Sequence, residues 1–137
     1  MLSLFVEDCM DGNPHALSTS ATVRDAINLF TAAHIPGAPV IDENKHLVGY
    51  ISEQDCLKEM LNDAFYSEQP PFVTQVMNYD VKTVAPMNSV LEVAEAMSKT
   101  SPKNYPVVEN GRLVGMVSRS RILKSLSENN KGDYFHH

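Results

Sequence analysis

The feature that most constrains this chain is an internal repeat. The stretch "HLVGYISEQDCLKEM", residues 46–60, returns 66 residues later as "RLVGMVSRSRILKSL", residues 112–126, with six of fifteen positions identical. At an offset of 67 residues, "VEDCM" (6–10) also aligns with "VTQVM" (73–77) and "APVID" (38–42) with "YPVVE" (105–109). Two copies of roughly 60 residues are each too small to bury a good core alone, and repeat units of that size cover their apolar faces with a neighbour. The sequence therefore predicts two similar halves that pack against each other.

The repeat also sets the predicted domain boundaries. The first copy spans residues 1–62, the second spans 73–127, and residues 128–137 form a C-terminal tail. Residues 63–72 between the copies form a linker that closes with Pro70 and Pro71. Because proline cannot continue a helix, this pair predicts a break before the second copy.

Each copy carries the same order of local signals. Thr22 with Asp25, and Ser89 with Glu92, have the spacing of a capping box, in which two side chains satisfy helix-start amides reciprocally. Apolar residues at helical spacing follow each start, and the helices are predicted to end before Pro36 and Pro102. Short extended segments are predicted at 16–18 and 81–84, and strands at 38–41, 47–51, 105–108 and 113–117.

The predicted architecture follows from these signals. Asn110-Gly111 joins the last two strands and is a strong hairpin signal, because both residues tolerate positive φ. A final helix is predicted after Ser52 and again after Ser118. Each copy thus reads β-α-β-β-α, and the two together predict an α/β (α+β) sandwich with helices over small sheets.

Charge and composition exclude several function classes. The net charge of −6 argues against a nucleic-acid partner, which needs a basic surface. No apolar run approaches a membrane span, and the start lacks the basic region of a secretory signal. Cys9 and Cys56 form no CxxC pair and are predicted to be buried free thiols in a reducing cytosol. We therefore expect a cytoplasmic protein.

The sequence predicts no enzyme and no metal site. It contains no nucleophile–base pair, no paired catalytic acids and no phosphate loop with its lysine. His15, His34 and His46 lack metal-ligand spacing.

The ordered recurrence resembles the CBS (cystathionine β-synthase) domain pair, also called the Bateman module. The resemblance rests on "CMDGNPHALSTSATVRDAINLF", "IPGAPVID" and "LVGYISEQD" in the first copy, and covers about residues 1 to 127. In the second copy it rests on "VMNYDVKTVAPMNSVLEVAEAM", "NYPVVENGRLVG" and "MVSRSRI". It implies two repeats packed about a pseudo-two-fold axis. It also implies two clefts for AMP, ADP, ATP or S-adenosylmethionine, with no required cofactor.

The family's G-h-h-[S/T]-x-x-[D/N] motif matches residues 49–55. The resemblance implies that Ser52 touches a ligand phosphate and that Asp55 holds the ribose hydroxyls. A helix start suits a phosphate, and a carboxylate one turn in can accept from two vicinal hydroxyls. The opposite wall of this first cleft is expected from the second copy, at Thr83, Val84, Lys103, Asn104, Tyr105 and Pro106.

The second copy departs from the motif, because Arg121 stands where Asp55 stands in the first. Arginine has no acceptor and cannot hold a ribose, although it can meet a phosphate bidentately. The second cleft is therefore expected to bind more weakly. Its residues are Ser118 and Arg121, facing Leu17, Ser18, Gly37, Ala38 and Pro39.

Two alternatives stay open at this point. Ser52 with Asp55 is also the pattern of a capping box, worth about 1 kcal/mol without any ligand, and Lys103 can equally be a solvated loop lysine. The leading hypothesis is a freestanding regulatory module that senses an adenosine nucleotide and signals to a partner in trans. The other is a ligand-independent interaction protein with decayed clefts. A homodimer is expected, with Met60, Leu61 and Leu126 as candidate contacts.

Overall fold

A computed structural model describes residues 4–62, 69–99 and 103–129, with no side chain described for residue 129. Most of the predicted linker (63–68) and of the predicted tail (130–137) lies outside these residues. The described residues fall into two compact units. We call His15–Val81 the first unit, and Met1–Pro14 together with Lys82–His137 the second unit.

The first unit has the predicted β-α-β-β-α order. Its strands form one three-stranded sheet in the order β1-β2-β3, with β1 parallel to β2 and β2 antiparallel to β3. Thr22 caps the first helix, since its side chain accepts from the amide of Asp25 and the Asp25 carboxylate accepts from the amide of Thr22. The elements are β1 (Leu17–Ser18), α1 (Val23–Ala33), β2 (Gly37–Ile41), β3 (Leu47–Ser52) and α2 (Glu53–Met60).

The second unit repeats this order with one change. Its first strand is reduced to a single parallel bridge between Val84 and Val107, where the sequence predicted extended residues over 81–84. The predicted hairpin is confirmed, because Asn110 and Gly111 both have positive φ, at 54° and 81°. The elements are α3 (Val90–Lys99), β4 (Asn104–Glu109) and β5 (Arg112–Ser118), an antiparallel pair, and α4 (Arg119–Asn129).

Each unit buries a core of its own. The short segment that precedes each repeat packs in the core of the other repeat, and we call these two the exchanged segments. Val6 has no exposed surface and packs in the core of the second unit, beside α3, β4 and β5. Val73 and Met77 pack in the core of the first unit. Each such segment therefore completes the core of the repeat to which it is not adjacent in sequence.

Backbone pairing fixes the exchanged segments. Asp11 and Met116 exchange two hydrogen bonds, and Tyr50 and Asn78 do the same, with N···O distances of 2.8–3.0 Å. Because a strand edge with unpaired groups is unfavourable when buried, each segment covers one edge of β5 or β3.

Candidate functional site

The predicted ligand residues of the first unit meet at the junction of β3 and α2. Ser52 ends β3 and caps α2, and Asp55 is the third residue of that helix. The Asp55 carboxylate oxygen Oδ2 accepts from the Ser52 amide and from the Ser52 hydroxyl, both at 2.9 Å. The Ser52 hydroxyl oxygen accepts from the Asp55 amide at 3.2 Å. Both side chains are half-buried, so the capping box that the sequence left as an alternative is formed.

Neighbouring backbone groups complete this junction. The amide of Glu53 donates to the carbonyl of Pro36 at 2.8 Å. Three of the four helix-start amides, at Ser52, Glu53 and Asp55, are thus bonded within the unit. Within the part of the chain that the structure describes, the Gln54 amide has no acceptor, a feature that the sequence did not indicate.

Gly37 lies directly opposite Ser52 on the neighbouring strand β2. A Cβ atom added to Gly37 would stand 2.8 Å from both the Cε1 atom and the hydroxyl oxygen of Tyr50. The open side of this glycine therefore accommodates the Tyr50 ring of the same unit. Sequence reasoning missed Tyr50, since nothing local predicts which ring covers a glycine across a sheet.

The other residues predicted for the second cleft on this side all lie in the small sheet of the first unit. Ala38 and Pro39 are buried on β2, where they pair with Ile51 and Tyr50. On β1, Leu17 is buried and Ser18 is exposed. Ser18 accepts from the amide of Ser20, so it belongs to a local turn.

The second unit builds the corresponding junction differently. Ser118 ends β5, and its hydroxyl accepts from the amide of Arg121 at 3.1 Å. The Arg121 side chain cannot return the bond, because it has no acceptor. Its Nη1 instead donates to the carbonyl of Cys9 at 3.2 Å. Arginine in place of aspartate thus donates a hydrogen bond to the N-terminal exchanged segment. The sequence did not suggest this role.

The remaining predicted residues also lie in the second unit. Thr83 and Lys103 are exposed, Val84 and Asn104 are half-buried, and Tyr105 and Pro106 are buried on β4. Asn104 pairs with Ser118, and the Lys103 carbonyl accepts from the Arg119 amide at 2.8 Å. The structure therefore groups these residues with Ser118 and Arg121. Their pairing with Ser52 and Asp55 across a cleft stays a prediction of the resemblance.

The thiol next to Asp55 is confirmed as a buried free cysteine. Cys56 is 3% exposed, and burial, with smaller contributions from Asp55 and Glu53, raises its pKa from 9.0 to about 11. The Cys9 thiol is only half-buried, less than the sequence predicted, and burial also raises its pKa.

Stability should therefore fall in alkaline solution because of Cys56. Below pH 9 the thiol is protonated in both folded and unfolded chains; between pH 9 and 11 the unfolded chain loses its proton first, so rising pH favours unfolding. Between pH 8 and pH 10 the loss from this group should be about 1 kcal/mol. Urea unfolding at both pH values, for the parent and Cys56→Ala, checks this. An equal pH dependence in the two proteins would contradict it.

Within 4–62, 69–99 and 103–129, no group of three or more His, Cys, Asp or Glu side chains is arranged to hold a metal ion. No helix in this part of the chain has the length and apolar character of a membrane span.

Two compact β-α-β-β-α units, each with a serine-capped helix after its last strand, define a tandem repeat protein. The CBS domain family matches the chain twice, over residues 6–62 and 73–128. The chain belongs to the CBS domain family and carries two CBS domains.

Relatives with the same repeats differ widely in length. The chain is 35% identical over 127 residues to the A-adding tRNA nucleotidyltransferase of Aquifex aeolicus. The alignment covers 93% of this chain but only 15% of the enzyme. It is 27% identical to the CBS domain-containing protein DDB_G0289609 of Dictyostelium discoideum, covering 91% of this chain and 92% of that protein. The chain spans only 15% of the length of the nucleotidyltransferase and 42% of the length of protein MJ1225 of Methanocaldococcus jannaschii, so these relatives are much longer.

Solved structures of similar size share the fold. The AcuB protein of Vibrio cholerae is 34% identical, with a TM-score of 0.81 over 93% of this chain and 98% of that one. CBSX2, a CBS-pair protein of Arabidopsis thaliana, was solved with AMP and is 26% identical, with a TM-score of 0.80 over 92% and 98%. The CBS domain pair of protein MJ0100 was solved with 5′-methylthioadenosine and S-adenosyl-L-methionine. It is 25% identical, with a TM-score of 0.74 over 90% and 99%.

Proposed function

We propose that the chain is a regulatory CBS pair that binds an adenosine compound at Ser52 and Asp55 and signals to a partner protein. The observation that carries this proposal is the placement of Asp55. Its carboxylate is half-buried at the start of α2, and its hydrogen bonds within the described residues all use Oδ2. The other oxygen, Oδ1, is available to accept from ribose hydroxyls in a charge-assisted bond.

The relatives support an adenosine ligand. Similar CBS pairs were solved with AMP and with methylthioadenosine and S-adenosylmethionine. Those ligands share an adenosine moiety and differ at the 5′ position, so the shared moiety is the part that we assign to this chain.

Titration calorimetry tests the proposal. The chain should bind at least one of AMP, ADP, ATP, methylthioadenosine and S-adenosylmethionine, with one dominant site per chain, because Arg121 offers no ribose acceptor. Guanosine monophosphate is the control for adenine selectivity. Two adenosine sites of equal affinity would contradict the assigned role of Asp55. Binding of none of these compounds would remove the proposed function.

A ligand-independent structural or interaction module is the second candidate. The observed capping box favours this candidate, because the hydrogen bonds between Ser52 and Asp55 give both residues a structural role without a ligand. Thermal unfolding separates the two candidates. A ligand at a hundred times its dissociation constant adds about 2.7 kcal/mol of stability to a binding protein and nothing to a structural module.

We also propose that the chain forms a homodimer through the outer faces of α2 and α4. Leu57 and Leu123, which are equivalent in the two repeats, are 60% and 67% exposed, and Leu61 is 81% exposed. Met60, at 37%, is the other exposed candidate from the sequence. Leu126, the third candidate from the sequence, is half-buried against the core of its own unit.

Light scattering checks the dimer. The parent should have a mass near twice 15.2 kDa, and Leu57→Glu with Leu123→Glu should shift it toward one chain mass, since a buried unpaired charge is strongly unfavourable. Leu91→Glu, at a position 60% exposed on α3, is the matched control and should leave the mass unchanged. A parent that stays a single chain at micromolar concentrations would refute the homodimer.

A further inference from the structure

The two helices proposed for the dimer contact present the same leucine but opposite net charges. Leu57 on α2 and Leu123 on α4 occupy equivalent positions in the two repeats and are 60% and 67% exposed. The residues that follow them, Lys58 and Lys124, are also identical. Because apolar association has no directional preference, these shared residues do not determine which helix of one copy meets which helix of the other.

The remaining charged residues differ in sign between the two helices. α2 carries three acids and one base, so its net charge is −2, whereas α4 carries three bases and one acid, so its net charge is +2. The charged residues of α2 are Glu53, Asp55, Lys58 and Glu59, and those of α4 are Arg119, Arg121, Lys124 and Glu128.

One of these charges borders each exposed leucine. Glu53 lies four positions before Leu57, and Arg119 lies four positions before Leu123. Residues four apart are neighbours on a helix surface, and both charged side chains are exposed. Among the residues that the structure describes, neither Glu53 nor Arg119 forms an ion pair. Each leucine therefore lies beside a charge that a partner surface can meet.

A two-fold dimer can pair these helices in two ways. In like pairing, α2 meets α2 of the partner and α4 meets α4, so both contacts bring together helices of the same charge. In reciprocal pairing, α2 of each copy meets α4 of the other, and both contacts bring together helices of opposite charge. The second arrangement is isologous, because two complementary patches of one chain meet twice.

We infer that the homodimer uses reciprocal pairing, with α2 of each copy packed against α4 of a second copy of this chain. Like charges placed opposite each other suppress a pairing, and complementary charges fix its register. The leucines supply the apolar surface of each contact, and the charges select the partner helix. This inference rests on the proposed homodimer.

A charge reversal separates the two arrangements, because its effect has opposite signs in them. Glu53→Arg removes the net charge of α2. In reciprocal pairing it should weaken the dimer about tenfold, since it removes an attraction at two symmetry-related contacts. In like pairing it would tighten the dimer, since it removes a repulsion. Sedimentation equilibrium of the full chain without nucleotide measures the dissociation constant. Glu43→Arg makes the same charge change at an exposed turn between β2 and β3 and should not weaken the dimer.

Salt tests the same arrangement in the parent chain, independently of any variant. Raising NaCl from about 0.1 M to about 1 M shortens the Debye length from about 10 Å to about 3 Å, so the parent dimer should weaken. A parent dimer that is tightened or unaltered by Glu53→Arg or by salt would overturn reciprocal pairing and leave the homodimer standing. A parent that stays a single chain at micromolar concentrations would remove both, and would leave the adenosine ligand of the proposed function unaffected.

Discussion

Replacing Gly115 with alanine should destabilise the chain by about 1–3 kcal/mol, the usual range for overpacking a filled core. A Cβ atom at this position would stand 2.6 Å from the sulfur of Met10 and 2.8 Å from the carbonyl oxygen of Asp11. That carbonyl accepts from the amide of Met116 at 3.0 Å. The methyl group therefore pushes on backbone that is already hydrogen-bonded to β5, and cannot be accommodated by a side-chain rotation alone.

Urea unfolding of three glycine variants measures this effect. Gly49→Ala places the equivalent methyl 2.5 Å from the Met77 sulfur but 3.0 Å from the nearest backbone oxygen, so it should cost less than Gly115→Ala. Gly12→Ala is the matched control, since nothing lies within 4 Å of its added Cβ. It should change the free energy of unfolding by no more than about 0.5 kcal/mol. Equal stability of the Gly115→Ala and Gly12→Ala proteins would refute the close packing of the N-terminal segment on β5.

Asp55→Glu should weaken adenosine binding about ten- to hundredfold and leave the fold intact. Glutamate at the third helix position still closes a capping box with serine, so stability should change by only a few tenths of a kcal/mol. The longer side chain misplaces the carboxylate against the ribose hydroxyls. Loss of a charge-assisted hydrogen bond costs about 1.5–3 kcal/mol, which corresponds to that loss of affinity. Calorimetry with the adenosine compound that the parent binds most tightly measures it.

The capping box of α1 supplies matched controls. Thr22 and Asp25 make the same reciprocal bonds, at 3.2 Å and 2.9 Å, at an exposed helix start. Asp25→Glu should leave both binding and stability near the parent values. Asp25→Ala measures the cost of a lost cap, about 0.5–2 kcal/mol, which can be compared with the cost of Asp55→Ala. If Asp55→Glu and Asp55→Ala both bind like the parent, Asp55 acts only as a cap.

Local sequence was enough to predict most elements of the fold. The helix starts at Thr22 and Ser52 were predictable because a cap depends on residues only three positions apart. The Asn110-Gly111 hairpin was predictable because positive φ is a property of the turn residues themselves. The internal repeat then gave the order of elements in both halves, since equivalent residues form equivalent elements.

The candidate site was predicted only in part. The motif gave Ser52 and Asp55, which the structure brings together, but spacing alone left open whether they cap the helix or hold a ligand. The hydrogen bonds between Ser52 and Asp55 show that the two residues form a capping box, and their ligand role remains a proposal. The role of Tyr50 over Gly37 had no signal in the sequence, because it depends on the neighbouring strand.

The sequence by itself determined the repeat, the order of elements and the difference between Asp55 and Arg121, because these depend on residue identity and short spacing. The tertiary structure alone decided that Val6 packs in the core of the second unit and Val73 in that of the first. It also decided that Arg121 donates to the carbonyl of Cys9, 112 positions away. The physical reason is that backbone pairing and core packing join residues distant in the chain. The apolar pattern "VxxxM" is the same whichever sheet receives it.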